Sequence, residues 1–295
     1  MRIQGVYPPI ATPFDERGHL NCKALAANIQ RWDETGLNGY VIAGSNGENV
    51  LLDADEIITA VRGVRRAAAS GKLVIAGTGC QSTAATIRLT CAVADVGADA
   101  ALVMTPSFYS VEMTDAALLH HYEAVADASP LPILIYNVPK FTHLNISPAV
   151  VARLAEHDKI IGVKDSAGDV SQLVELIRLC PSDFDVLIGN AGAYLEGLVA
   201  GAAGGILAVA NVAPYECVAI WRLVRDGRYD EARETHVRVM PAARAVTSQY
   251  GVPGLKAALD LLGYYGGAPR LPLLPLDQLA RDDIRNILTE AGLLA

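Results

Sequence analysis

Eight short, almost uninterrupted apolar runs recur along the chain, each separated from the next by room for one helix. This rhythm restricts the fold more than any other feature. The runs are Gly5–Ile10, Gly39–Ala43, Leu73–Ala76, Ala100–Met104, Ile133–Asn137, Ile160–Lys164, Val186–Ile188 and Gly205–Val209. They lack polar alternation, as strands covered on both faces should. Between them apolar residues return at helical spacing, as in Leu25, Ile29 and Trp32, then Ile57, Val61 and Val64, then Leu118, Tyr122 and Val125. Helix starts are marked too: Asp53 with Glu56 fits a capping box, and Ser147–Pro148 reads as an N-cap followed by proline in the first turn. Eight such units predict an α/β fold of the (β/α)8 TIM barrel type rather than a doubly wound sheet, and no GxGxxG follows the first run.

After about Asp226 the strand-like runs stop. Three further helical segments are expected near Asp230–Ser248, Gly254–Leu262 and Asp277–Ala291, with the Gly/Pro-rich stretch GYYGGAPRLPLLP as a loop between the last two. The expected organisation is a barrel carrying the active site over residues 1–225 and a C-terminal helical extension over 226–295, packed on the barrel without a core of its own. A chain that is 52% hydrophobic can bury a large core, and its formal net charge of −8 argues against nucleic acid as a partner. Cys22, Cys80, Cys91, Cys180 and Cys217 are scattered and never form a CxxC pair, which suits reduced thiols rather than disulfides or a zinc site. No charged leader with an apolar h-region precedes the first run, and no apolar stretch reaches the ~18 residues of a membrane helix, so no membrane partner and a cytoplasmic setting are expected.

In a barrel of this type, chemistry sits where strands end at their C-terminal side. Four run ends carry unusual residues: GSNGE (Gly44–Glu48), TPSFY (Thr105–Tyr109), YNVPK (Tyr136–Lys140) and KDSAG (Lys164–Gly168). Strand parity puts Ile160, Gly162 and Lys164 on one face, with Gly162 leaving room above the lysine. Lys164 then reads either as a strand cap with its head in water or as an amine held for chemistry. A free lysine amine, with a pKa of about 10.4, is protonated at neutral pH, and burial is what favours its neutral, nucleophilic form. Such an amine can condense with a ketone to a Schiff base that labilises an adjacent C–H or C–C bond. Tyr136, ending the neighbouring strand, is either the proton carrier for that chemistry or a satisfied core tyrosine. GSNGE offers backbone N–H groups and the Ser45 hydroxyl to a carboxylate, or is an ordinary tight loop. Lys140 either adds positive charge or is a solvated loop residue. His120 and His121 point about 100° apart on a helix, and no HxH or HExxH pattern occurs, so no metal or other cofactor is expected. The Gly-rich run ends IGNAG and AAGGI lack an accompanying Lys or Arg, which disfavours a phosphorylated substrate.

The motifs GVYPPIATPF, GSNGE, AGTGCQSTAATI, TPSFY, YNVP, IIGVKDSAGD, GILAVANV and RLPLLPL occur in one order from end to end. With them the chain resembles the dihydrodipicolinate synthase/N-acetylneuraminate lyase superfamily of Schiff-base aldolases. GSNGE, Lys164–Asp169 and YGVPGLKAALDLLGYYGGAPRLPL look most like its 4-hydroxy-2-oxoglutarate aldolase branch. The resemblance implies that Lys164 forms the Schiff base, Tyr136 shuttles protons and Ser45 is a relay hydroxyl. It further implies that Ser45 and Asn46 hold the substrate carboxylate, that Gly189 and Ile206 line the pocket with backbone, and that Ser166 contacts the distal part of the substrate. The family is usually tetrameric, with a tyrosine of the strand-four loop reaching a neighbouring subunit, so a homo-oligomer (tetramer or dimer) is expected.

Three positions depart from the synthase pattern. Phe141 stands where the synthase has an arginine for the distal carboxylate, and His143 stands where glycine is usual. Phe108 stands at the inter-subunit tyrosine, with Tyr109 one residue later: either the loop shifts by one and Tyr109 is the catalytic substitute, or the relay is incomplete. The resulting expectation is a class I lyase cleaving a 4-hydroxy-2-oxo acid, foremost 4-hydroxy-2-oxoglutarate, to pyruvate and an aldehyde such as glyoxylate. The alternatives are 4-hydroxy-tetrahydrodipicolinate synthase, a 2-keto-3-deoxy sugar-acid aldolase or dehydratase, and a non-catalytic paralogue that binds an oxo acid.

Overall fold

The computed structural model describes residues 1–294. Eight strands form: β1 (Gly5–Tyr7), β2 (Gly39–Ile42), β3 (Leu73–Gly77), β4 (Ala100–Met104), β5 (Ile133–Asn137), β6 (Ile160–Asp165), β7 (Asp185–Ile188) and β8 (Gly204–Ile206). All ladders are parallel, in the order β1-β8-β7-β6-β5-β4-β3-β2. The seam between β1 and β2 is joined just past β1, where Val41 N donates to Pro8 O (3.0 Å) and Ile10 N to Val41 O (2.9 Å). The expected (β/α)8 barrel with C-terminal helices is therefore the observed fold.

Apolar side chains segregate into two layers. Val41, Ile75, Leu102, Leu134, Leu187 and Ile206 fill the barrel interior. A larger layer lies between the strands and the surrounding helices, and it also includes Val239, Leu255 and Ile284 from the C-terminal helices. The extension thus completes the barrel's own outer core. Its helices run Tyr229–Arg244, Gly251–Leu261 and Gln278–Glu290, with a π-helical turn at Ala245–Gln249 after the first.

The helix-start signals hold. The Asp53 carboxylate accepts from Glu56 N (2.9 Å) while Glu56 accepts from Asp53 N (3.1 Å), and Ser147 accepts from Val150 N with Pro148 in the first turn. The run Gly205–Val209 does not stay extended: β8 ends at Ile206 and Ala208–Asn211 forms a 3-10 turn. Asn211 Nδ2 fixes that turn by donating to Pro9 O (3.1 Å) and Ala208 O (2.9 Å). The first run is shortened as well, because Pro8 and Pro9 have no N–H to give a ladder.

One buried ion pair ties the extension to the barrel. Glu48, in the left-handed region at φ 59°, places Oε1 2.6 Å from Lys256 Nζ, and both side chains are buried. Glu48 Oε2 also accepts from Arg270 N (2.8 Å), and Lys256 donates to Ala268 O (3.0 Å). Burial pushes the Lys256 amine down from its ordinary range, against the pull of Glu48. Removing one partner strands the other charge in the interior. Glu48→Gln and Lys256→Met should each cost roughly 3–5 kcal/mol in denaturant titrations, and the double variant should lose less than the two single losses combined.

Candidate active site

Lys164 and Tyr136 are brought together by one register: Tyr136 of β5 pairs with Lys164 of β6, and Asn137 with Asp165. Alternation then sends Tyr136 and Lys164 to the barrel interior and the next pair to the opposite side. Lys164 is 2% exposed, and its Nζ lies 4.1 Å from the centroid of the Tyr136 ring. Among the described residues, no carboxylate forms an ion pair with it. A lysine this buried without a counter-ion is costly to the fold, which favours a functional over a capping role.

The parity expected from the sequence needs one correction. An irregularity opposite Ile133/Leu134 shifts the β5–β6 register, so Ile160 packs in the outer layer while Ile161 packs against the interior one. Alternation resumes at Gly162, with Val163 outward and Lys164 inward. Nor does Gly162 leave free space: a Cβ there would fall 2.4 Å from Asp185 O and 2.9 Å from the Leu134 side chain. The glycine permits close approach of β7 rather than room above the lysine.

The Tyr136 hydroxyl is 3.1 Å from Ser45 Oγ. Ser45 lies in the 3-10 turn Ser45–Gly47, anchored by Thr12 Oγ1, which donates to Gly47 O (2.6 Å). On the outer side of the strands, Asn137 Nδ2 donates to Asp165 Oδ1 (2.6 Å), as does Gln172 Nε2 (2.9 Å). Burial raises the Asp165 carboxyl above its usual range, and these two amides partly offset the rise. The cluster cross-links the ends of β5 and β6 directly behind the Tyr136–Lys164 pair.

A cavity of about 380 Å3 opens above the pair, and Ser45, Asn46, Tyr136, Lys164, Ser166, Gly189 and Ile206 all line it. Ser166 Oγ is buried and has no hydrogen-bond partner among the described residues. Gly189 lies against it, and a Cβ there would fall 1.9 Å from that oxygen. Tyr109 is the exception among the expected residues. It is 67% exposed, sits edge-to-face with Phe108 at 5.1 Å between centroids, and does not line the cavity. Lys140 and Phe141 do line it, the lysine with Nζ 3.3 Å from Thr247 O. His143 does not; it ends the short helix Pro139–Thr142 at φ 55°, a left-handed position that suits glycine. His121 is buried with Nδ1 3.0 Å from Thr83 Oγ1, and His120 is exposed.

The sequence reading missed the outer rim. Met240, Ala243, Arg244, Thr247 and Ser248, around the end of the first C-terminal helix, line the same cavity. Helical periodicity marks which of these face the barrel but not that they stand over a strand end some hundred residues earlier.

Comparison with known proteins identifies the family. The model of the dihydrodipicolinate synthetase family matches residues 2–291. The chain belongs to that family. It is 37% identical over 276 residues to 4-hydroxy-tetrahydrodipicolinate synthase of Exiguobacterium sp., covering 94% of each chain. It is also 37% identical to the Methanothrix thermoacetophila synthase, over 98% of this chain and 97% of that one. Among solved structures, dihydrodipicolinate synthase from Acinetobacter baumannii, complexed with pyruvate, superposes with a TM-score of 0.94 at 33% identity, over 99% of this chain and 100% of that one. A prophage member of the family from E. coli K12, also complexed with pyruvate, gives 0.93 at 29% identity over 99% of each. The chain is accordingly a carbon–carbon lyase of the pyruvate-dependent, Schiff-base class. These relatives are named for the synthase, and so favour that alternative over the 4-hydroxy-2-oxoglutarate aldolase branch suggested by the motifs.

Because Gly189 abuts Ser166, Gly189→Ala should leave the fold intact while displacing the Ser166 hydroxyl in the cavity. Half-saturation by a longer 2-oxo acid such as 2-oxoglutarate, read from borohydride trapping, should weaken roughly 10-fold or more, as ångström-scale misplacement in a site does, with pyruvate less affected.

Proposed function

We propose that Lys164 is the Schiff-base residue of a pyruvate aldolase whose second substrate is a carboxylate-bearing aldehyde. The observation that carries this is the buried Lys164 amine over the Tyr136 ring, with the phenol hydrogen-bonded to Ser45. In the forward direction, Nζ attacks the C2 carbonyl of pyruvate and water leaves, giving an iminium. Loss of a proton from the methyl group makes an enamine, whose carbon attacks the aldehyde and forms one C–C bond. The aldehyde oxygen takes up a proton and becomes a hydroxyl. Hydrolysis of the new iminium returns the free amine, and cleavage is the same sequence reversed.

Tyr136 is the proposed proton carrier and Ser45 its relay, with Ser45 and Asn46 also holding the pyruvate carboxylate and Ser166 the distal part of the substrate. Gly189 and Ile206 contribute backbone walls. Tyr109 lies outside its own chain's cavity, so its proposed place is the relay of a neighbouring copy in a homo-oligomer.

The named relatives support condensation with aspartate semialdehyde, the synthase reaction. A specific observation supports the second reading, cleavage of 4-hydroxy-2-oxoglutarate to pyruvate and glyoxylate. Among the described residues the cavity lining contains no Asp or Glu, so none of their carboxylates receives the ammonium of aspartate semialdehyde there. Product analysis of enzyme supplied with pyruvate and each aldehyde separates the two readings.

Borohydride added with pyruvate should place a reduced pyruvyl group on the Lys164 peptide; an unmodified peptide overturns the mechanism. Lys164→Arg should abolish both trapping and turnover. Tyr136→Phe should lower kcat about 10²–10⁴-fold, the scale of a lost general acid–base group, while leaving trapped enzyme detectable.

A further inference from the structure

The rim of the cavity carries charge that the chemistry at its floor does not use. Three cationic side chains line the cavity: Lys164 at the floor, and Lys140 and Arg244 at the mouth. Among the described residues no acidic side chain joins them, although the whole chain has 32 Asp and Glu against 24 Lys and Arg. Among the described residues neither Lys140 nor Arg244 forms an ion pair.

The two mouth cations are held from different parts of the chain. Lys140 follows β5, and its Nζ bonds the Thr247 carbonyl across the mouth at 3.3 Å. Thr247 belongs to the π-helical turn Ala245–Gln249, which starts directly after Arg244. π-Turns inside helices frequently occur at functional sites because they re-aim the residues beside them. Ser248 Oγ donates to Arg244 O (3.4 Å) within the same turn, so Arg244 stands on a braced segment, and its guanidinium forms no ion pair among the described residues. A free guanidinium offers a planar fork matched to a carboxylate, and an ammonium beside it adds a point charge.

We propose that Arg244, assisted by Lys140, forms a second carboxylate subsite at the cavity mouth, which makes the enzyme selective for 2-oxo acids bearing a second carboxylate. The inference rests on the Schiff-base reading above and adds to it the specificity-determining residue, supplied by the C-terminal extension. It applies whichever aldehyde is the natural partner, because both candidate reactions pass through adducts with a second carboxylate.

Schiff-base trapping tests it without requiring turnover. Wild-type enzyme is titrated with pyruvate, 2-oxoglutarate and 2-oxopentanoate, reduced with borohydride, and modification of Lys164 is quantified by mass spectrometry. 2-Oxoglutarate and 2-oxopentanoate share a five-carbon chain and differ in the terminal carboxylate. Half-saturation should favour 2-oxoglutarate by about 10-fold, the scale of one hydrogen-bonded contact between charged groups. Arg244→Gln should erase that preference, Arg244→Lys should retain part of it, and Lys140→Met should reduce it less. Pyruvate, which lacks the second carboxylate, is the control for intact folding and amine reactivity. The preference should also shrink as salt is raised, because the mouth is open to solvent. If pyruvate is trapped normally but the wild type treats the two five-carbon acids alike, or Arg244→Gln keeps the preference, the subsite is wrong and the Schiff-base reading stands. If no 2-oxo acid, pyruvate included, is trapped on Lys164, both fall.

Discussion

The pairing of β5 with β6 is the constraint on which the rest of the site depends. It sets Tyr136 opposite Lys164 on the inside and Asn137 opposite Asp165 on the outside. Neither member of the inner pair has a hydrogen bond to the other, so their mutual position is inherited from the backbone. The outer pair supplies the lock, as the Asn137 amide and Asp165 carboxylate bond at 2.6 Å and Gln172 joins them from the following helix. A slip of β6 by one residue would send the Lys164 amine into the helix layer and the Asp165 carboxyl into the barrel. The register irregularity earlier in β6 belongs to the same account, because without it alternation from Ile160 would not be consistent with both layers.

Much of this was legible in the sequence, for a physical reason. Parallel strands covered on both faces read as continuous apolar runs, so their number and spacing revealed the barrel. The end of such a run at Lys164, beside another ending at Tyr136, located the floor of the site. Where a run's apolarity reflects burial rather than extension the reading went astray, as at Ala208–Asn211, whose turn is fixed by Asn211 bonding to Pro9 across the seam. The bulge at Ile161 was equally hidden, being a property of two strands and not of one. The rim residues were hidden for the most general reason: Arg244 meets the strand-five loop only through tertiary packing. No Lys or Arg accompanies the Gly-rich ends of β7 and β8, while Arg244 reaches the same cavity from a distant helix.

The C-terminal extension is therefore part of the site as well as of the core. Glu48 stands three residues after Ser45 and pairs with Lys256, while Arg270 grips Glu56 and the Gly18 and Leu51 carbonyls and lies 4.2 Å over the Phe14 ring. A buried ion pair is a poor source of net stability, since desolvation offsets most of its attraction, but it is strict about geometry. Here the strictness falls on the loop that carries Ser45 and Asn46. Apolar residues at 48 and 256 would satisfy the core without fixing the left-handed turn at Glu48 or receiving the Arg270 N–H. The same extension that orders one wall of the cavity presents Arg244 at the opposite rim.

The charge distribution follows from scale. A net charge of −8 would repel an anionic oxo acid at long range, yet at physiological ionic strength that field is screened over about 8 Å. Inside the cavity the nearest groups decide, and all the formal charges lining it are positive. Low-dielectric walls strengthen these local fields relative to the screened surface charge. An anion near the mouth therefore experiences Lys140 and Arg244 before it experiences the rest of the protein, and beyond them lies the Lys164 amine, which forms no ion pair among the described residues. The acidic surface and the cationic cavity are compatible because they act at different distances.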